Sequence, residues 1–247
     1  MGLVDDMKRN LLSYGILVLS LVFITLNFGC GGKLKDASEH YDIAVAHGEL
    51  GKVDDAIEEY KKAIEIYPNF EMAHFNLGCV YYQKGDMGSA IESFKKAIEI
   101  KPDLIEAYSM LGAAYEMYNM FNDAVEQHKK VLELNPNLAE PHTNLGNLYY
   151  KMEMPDKAID EYKKAISIKP DFAEAYNNLG YMYFEQGEYS FAINEYKKAI
   201  ELKQDYISAH NNLSMVYRKV GLHEKAKSES EIAKRLTAKS KRAKTAF

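Results

Sequence analysis

A period of 34 residues constrains this chain more than any other feature. Glycine stands at Gly78, Gly112, Gly146 and Gly180, alanine at Ala56, Ala90, Ala124, Ala158, Ala192 and Ala226, and proline at Pro68, Pro102, Pro136 and Pro170, each series at that interval. A chain with such a period builds one small unit many times and stacks the copies, because one copy alone cannot bury its apolar surface. The copy Glu71–Leu104 shows the pattern in full, with Glu71 as position 1 and Leu104 as position 34.

Within that copy the residues predict two helices and a turn. Leu77, Gly78 and Tyr81 fall on one helical stripe, and Gly78 lets a neighbouring helix approach closely. Gly85 suits a left-handed residue that ends the first helix. Ala90, Phe94 and Ala97 give the second helix an apolar stripe. Asp103, after Pro102, is placed to cap the first helix of the next copy.

This pattern resembles the tetratricopeptide repeat, a helix–turn–helix of 34 residues. The resemblance covers six copies, at 37–70, 71–104, 105–138, 139–172, 173–206 and 207–240. It implies an all-α protein, a right-handed α-solenoid of six helix–turn–helix units. The first copy is weak, with Ala44 and His47 at the glycine and tyrosine positions. Asn119 replaces the turn glycine of the third copy, and Glu153-Met154-Pro155 that of the fourth, where Pro155 can start a helix. The sixth copy has Ser230 where the others carry a ring, and its second helix is more polar, as suits an end of the stack.

Charge is unevenly distributed. The formal net charge is −5, but the tail after Ala233 holds Lys234, Arg235, Lys239, Lys241, Arg242 and Lys244 without an acid, which leaves −11 on residues 1–233. An acidic body argues against nucleic acid as a partner, and 241–247 reads as a basic tail. At the other end Lys8 and Arg9 precede an apolar run from Leu11 to Phe28, followed by Gly29-Cys30-Gly31-Gly32. Residues 1–29 resemble a bacterial lipoprotein signal, in which Cys30 is the lipidated residue. Asn27 and Phe28 depart from the usual lipobox, and an uncleaved anchor of about 18 apolar residues is the other reading. Both tether the chain to a membrane of a bacterial cell envelope, facing the periplasm, with 30–36 as a linker.

No pattern calls for catalysis, a cofactor or a metal. His40, His74, His142 and His210 occupy position 4, which the repeat family fills with large packing residues, as Tyr108 and Tyr176 do here. His47, His128 and His223 sit at unrelated positions, without zinc spacing. Cys79 has no base beside it to activate it. Phosphate loops, nucleotide fingerprints and Ser/His/Asp sets are lacking.

In the family the first helices line a concave groove through positions 2, 5, 6, 9, 12 and 13. Carried over, position 6 holds Asn76, Asn144, Asn178 and Asn212, a ladder of amides able to pair with both groups of a peptide backbone. The alternative is that these amides bond neighbouring helices together. Asn147, Asn177 and Asn211 add amides, and Phe75, Tyr82, Tyr150, Tyr181 and Phe184 add aromatic anchors suited to protein recognition. Glu106, Glu140 and Glu174 at position 2 repel the carboxylate of a chaperone tail, which some members of the family bind through lysine and arginine. The resemblance therefore implies a non-catalytic, membrane-tethered scaffold that binds a protein or extended peptide in the groove, for assembly of an envelope complex. Two alternatives are a pilotin-like factor for pilus secretin assembly and a coat on an internal membrane that self-associates, as magnetosome repeat proteins do.

Overall fold

The computed structural model describes residues 30–245, all twelve of whose regular elements are helices. The proposed signal or anchor, residues 1–29, and the Cys30 side chain lie outside the described part. The helices are α1 (Cys30–Glu49), α2 (Val53–Ile66), α3 (Glu71–Lys84), α4 (Met87–Ile100), α5 (Ile105–Met117), α6 (Phe121–Leu134), α7 (Ala139–Lys151), α8 (Pro155–Ile168), α9 (Ala173–Glu185), α10 (Tyr189–Leu202), α11 (Ile207–Lys219) and α12 (His223–Thr245). Residues 30–36, expected as a linker, form the first turns of α1, and the basic tail continues α12 as far as Thr245.

The chain divides into two compact units, one ending at Leu134 and one starting at Asn135. In the N-terminal unit α1 pairs with α2, α3 with α4 and α5 with α6, and the pairs stack through α2–α3 and α4–α5. One core cluster joins Ala44, Ala56, Tyr60, Ala63, Ala73 and Leu77; another joins Ala97, Leu104 and Ala107, with Phe75 packed against it. The C-terminal unit repeats the arrangement with the pairs α7–α8, α9–α10 and α11–α12, stacked through α8–α9 and α10–α11. Its clusters are Ala139, Ala165 and Ala175, and then Ala192, Tyr196, Leu213, Val216, Tyr217 and Ala226. Alanine dominates because the helices approach too closely for longer side chains, so dispersion contacts replace volume.

The periodic glycine has a specific partner. A Cβ on Gly78, Gly112, Gly146 or Gly180 would come within 2.6, 2.9, 2.5 or 2.9 Å of a ring atom of Phe94, His128, Tyr162 or Tyr196. The four middle hairpins are thus each closed by a position-24 ring packed on a position-8 glycine, while the first has Ala44 in place of the glycine. The sixth copy has neither, and Ser214 Oγ instead donates to the Ala226 carbonyl at 2.6 Å.

Each hairpin turn carries one left-handed residue: Gly51, Gly85, Asn119, Glu153, Gly187 or Gly221. Glu153, at φ 58°, is the one with a long side chain, so the fourth copy carries backbone strain at its turn. Asp86 caps α4, accepting from Ser89 N at 3.2 Å, and Pro155 stands in the first turn of α8. The cap expected from Asp103 is not formed. Leu104 is the N-cap of α5 and supplies no side-chain bond, because the interrepeat turn closes with backbone bonds to Leu104 O.

Position 4 is more than packing. His40, His142 and His210 each place Nδ1 2.6 Å from a carboxylate oxygen of Glu59, Glu161 and Glu229 on the second helix of the same hairpin. His210 also sets Nε2 3.0 Å from Gln204 O, so both of its ring nitrogens face oxygen atoms. His74, with Ser93 opposite, keeps only the carbonyl contact, to Pro68 O at 2.9 Å.

Candidate functional site

The C-terminal unit presents a concavity of about 300 Å³. Its walls are four amides, Asn147, Asn177, Asn178 and Asn212, and three phenols, Tyr150, Tyr162 and Tyr181. The amides come from α7, α9 and α11, the first helices of three successive hairpins. Tyr162 belongs to α8 and reaches the site by lying on Gly146.

These groups form one directed chain of hydrogen bonds. Asn212 Nδ2 donates to Asn177 Oδ1 at 3.0 Å, Asn177 Nδ2 to Asn178 Oδ1 at 3.2 Å, and Asn178 Nδ2 to Asn147 Oδ1 at 3.0 Å. Tyr162 Oη donates to the same Asn147 oxygen at 2.8 Å. The bonds between helices both point from α11 towards α7, linked by the Asn177–Asn178 bond within α9. The Asn147 amide therefore keeps both N–H donors at one end, and the Asn212 carbonyl keeps both lone pairs at the other. Tyr150 and Tyr181 stand beside the chain with rings edge to face at 5.5 Å and 87°, and hydroxyls 3.2 Å apart.

Burial, then Glu174 and Tyr150, holds the Tyr162 hydroxyl above the ordinary phenol range. The bond to Tyr150, then burial and Glu185, does the same for Tyr181. Tyr196, one hairpin on, is buried without a partner for its hydroxyl, because Tyr181 occupies the place that Asn147 takes for Tyr162.

Several of the expected groove residues therefore serve another purpose. Asn76 donates to Tyr41 Oη at 2.7 Å, a bond from α3 back to α1 in the N-terminal unit. Asn178 and Asn212 likewise reach back one hairpin, so position 6 ties first helices together while also lining the concavity. Phe75 packs on Phe94 at 5.9 Å within a core cluster, and Phe184 on Tyr189 at 5.7 Å, so both rings are structural. Tyr82 is half-buried, its hydroxyl held up by burial and then Glu116. Asn144 is half-buried and Asn211 exposed, and neither lines the concavity. Burial pushes the Cys79 thiol up to about 12, so it is protonated at neutral pH. Sequence reasoning missed Tyr162 and Tyr41, because both read as packing and only their hydroxyl positions reveal the second role. Among the described residues no helix is long and apolar enough to cross a membrane, and no three metal-ligating side chains gather.

Comparison with known proteins agrees with this architecture. A search of the curated proteins returns no match. Among solved structures the chain is similar to MamA, at 31% identity over 67% of this chain and 97% of that one, with a TM-score of 0.59. It shares its fold with PilF of Pseudomonas aeruginosa, at 17% identity over 83% and 93%, with a TM-score of 0.69. It also shares it with YrrB, a TPR protein with an unusual peptide-binding site, at 21% identity over 72% and 91%, with a TM-score of 0.55. The TPR repeat profile matches residues 46–85, 79–117, 119–153, 156–187 and 180–221. With glycine-on-ring hairpins stacked through their alternate helices, and a profile that matches most of its length, the chain belongs to the tetratricopeptide repeat family.

Proposed function

We propose that this protein is a membrane-tethered, non-catalytic scaffold whose C-terminal unit holds an extended protein segment along its chain of amides. The observation that carries this reading is the head-to-tail order of Asn212, Asn177, Asn178 and Asn147. It leaves an open acceptor at one end and open donors at the other. A peptide group needs one of each, and an amide chain already locked by its own bonds is preorganised to supply them at small entropic cost. Tyr150 and Tyr181 add half-exposed aromatic surface of the kind that anchors protein partners. A peptide-binding site in YrrB, on the same fold, supports the class of ligand.

The tether is the Cys30 region, and its placement in a bacterial envelope, facing the periplasm, follows from the character of residues 1–29. Residues 30–49 are helical, so a lipid on Cys30 would sit close to the first hairpin. Acyl labelling that is lost in Cys30→Ser supports the lipoprotein form. Unmodified Cys30 still joined to residues 1–29 supports the anchored helix instead.

The peptide reading is tested with Asn147→Ala/Asn212→Ala, which removes the two open ends. Crosslinking capture of partners from native membranes should fall by about tenfold, since each lost hydrogen bond is worth about 0.5–1.5 kcal/mol. Helical circular dichroism should stay close to that of the parent. Undiminished capture with intact helicity would overturn the reading and shift attention to self-association, which sedimentation measures directly.

A further inference from the structure

The last hairpin, α11–α12, differs in charge from the rest of the chain. Residues 218–239 hold seven lysines and arginines against three carboxylates, in a chain whose net charge is −5. One of the three, Glu229, is already bonded to His210. On this hairpin lies a concavity of about 350 Å³, separate from the amide-lined one. Buried Ala226 and half-buried Ser230 form its floor, and exposed Arg218, Lys227 and Lys234 stand around it with His223 and Glu231. Lys227 and Lys234 are seven residues apart on α12, two turns or about 10 Å along one face, with Glu231 between them. Among the described residues none of these three cations makes an ion pair, so their charge is open to a ligand. The turn beside the concavity is apolar at its tip. Val220 is 38% and Leu222 42% exposed, and Arg218 and His223 bracket them in sequence.

We infer that this hairpin docks on an anionic phospholipid surface, with Val220 and Leu222 entering the headgroup layer and Arg218, Lys227 and Lys234 holding lipid phosphates. The inference goes beyond the Cys30 tether and the peptide concavity and depends on neither. Interfacial binding needs apolar side chains that bury at the acyl boundary beside lysines and arginines that attract anionic headgroups, and the tip and rim supply both. Free phosphate or a nucleic acid would make no use of Val220 and Leu222, so among phosphate-bearing partners the surface favours lipid. The cations continue outwards along α12, where exposed Arg235 and Lys239 follow Lys234 and no acid follows Glu231. Outside residues 218–239 the chain carries an excess of carboxylates, which an anionic bilayer repels. Attraction is thereby confined to this end and sets which part of the protein faces lipid.

The chain has no tryptophan, so Leu222→Trp places a single reporter at the tip. The full chain with this change is reconstituted by detergent removal into vesicles of phosphatidylcholine alone, or of phosphatidylcholine and phosphatidylglycerol in equal parts. At low salt the emission should shift to the blue, and be quenched by brominated acyl chains, in the phosphatidylglycerol vesicles only, and added salt should reverse both. Each cation near an anionic surface contributes about fivefold to attachment, so adding Arg218→Gln/Lys227→Gln/Lys234→Gln should abolish the shift, while circular dichroism stays unchanged because all three are exposed. Glu231→Gln should make the shift persist to higher salt. An equal shift in both kinds of vesicle means that the tip meets lipid without reading its charge, and overturns the inference. A shift that survives loss of the three cations overturns it as well. No shift in either vesicle also overturns it, and a shift on adding duplex DNA in that case would assign the cations to nucleic acid.

Discussion

Replacing His128 with phenylalanine should make the third hairpin resistant to acid. His128 is 2% exposed and lies on Gly112, with Nε2 2.9 Å from where a Cβ there would sit and Nδ1 without a partner. Burial pushes the imidazole down from 6.5 to about 4. The folded state thus keeps the ring neutral between those values, while the unfolded chain takes up a proton below 6.5. Stability is therefore full above pH 6.5 and is lost as pH falls towards 4, by about 3 kcal/mol when the difference is converted at 1.36 kcal/mol per pH unit. Phe94 already fills the equivalent slot on Gly78, fully buried, so the geometry accepts the ring. At pH 7.5 the variant should be as stable as the parent or gain about 1 kcal/mol, because the buried nitrogen without a partner is removed. At pH 4.5 the gap should widen by about 2.5 kcal/mol. Urea unfolding at the two pH values measures the difference, and hydrogen exchange over α5 and α6 localises it. Carboxylates elsewhere titrate alike in both proteins and cancel in the comparison. An identical acid loss in parent and variant would refute the argument.

Three further outcomes follow from the hairpin geometry. Gly146→Ala places a Cβ 2.5 Å from the Tyr162 ring, which must shift away from Asn147; unfolding should show a loss of about 1–3 kcal/mol. Glu153→Gly relieves the left-handed turn of the fourth hairpin and should stabilise it by about 1 kcal/mol, read as a raised Tm. His210→Phe removes the partner of both the Glu229 carboxylate and the Gln204 carbonyl, and should cost about 2–3 kcal/mol by urea unfolding.

The periodic sequence by itself determined the hairpins and their boundaries, because the signals involved act within a few residues. Apolar stripes, the left-handed turn residue and the proline before four of the first helices are all read within a few residues. Asn119 and Pro155 showed that even the irregular turns were legible. Residues 30–36, read as a linker, are helical, since nothing in their composition sets them apart from the rest of α1. What only the tertiary structure decided is which side chains meet across hairpins. Asn178 and Asn212 stand at the same repeat position, yet one bonds to Asn147 and the other to Asn177. That choice depends on helix separations set by the packing of alanines and rings, not on the local pattern. The Glu partners of His40, His142 and His210, nineteen residues away, are fixed in the same way by the register of two packed helices. Tyr162 completes the point: its ring position was readable as core, but the bond that makes it part of the site exists only because Gly146 lets the ring lie flat and its hydroxyl pass through to Asn147.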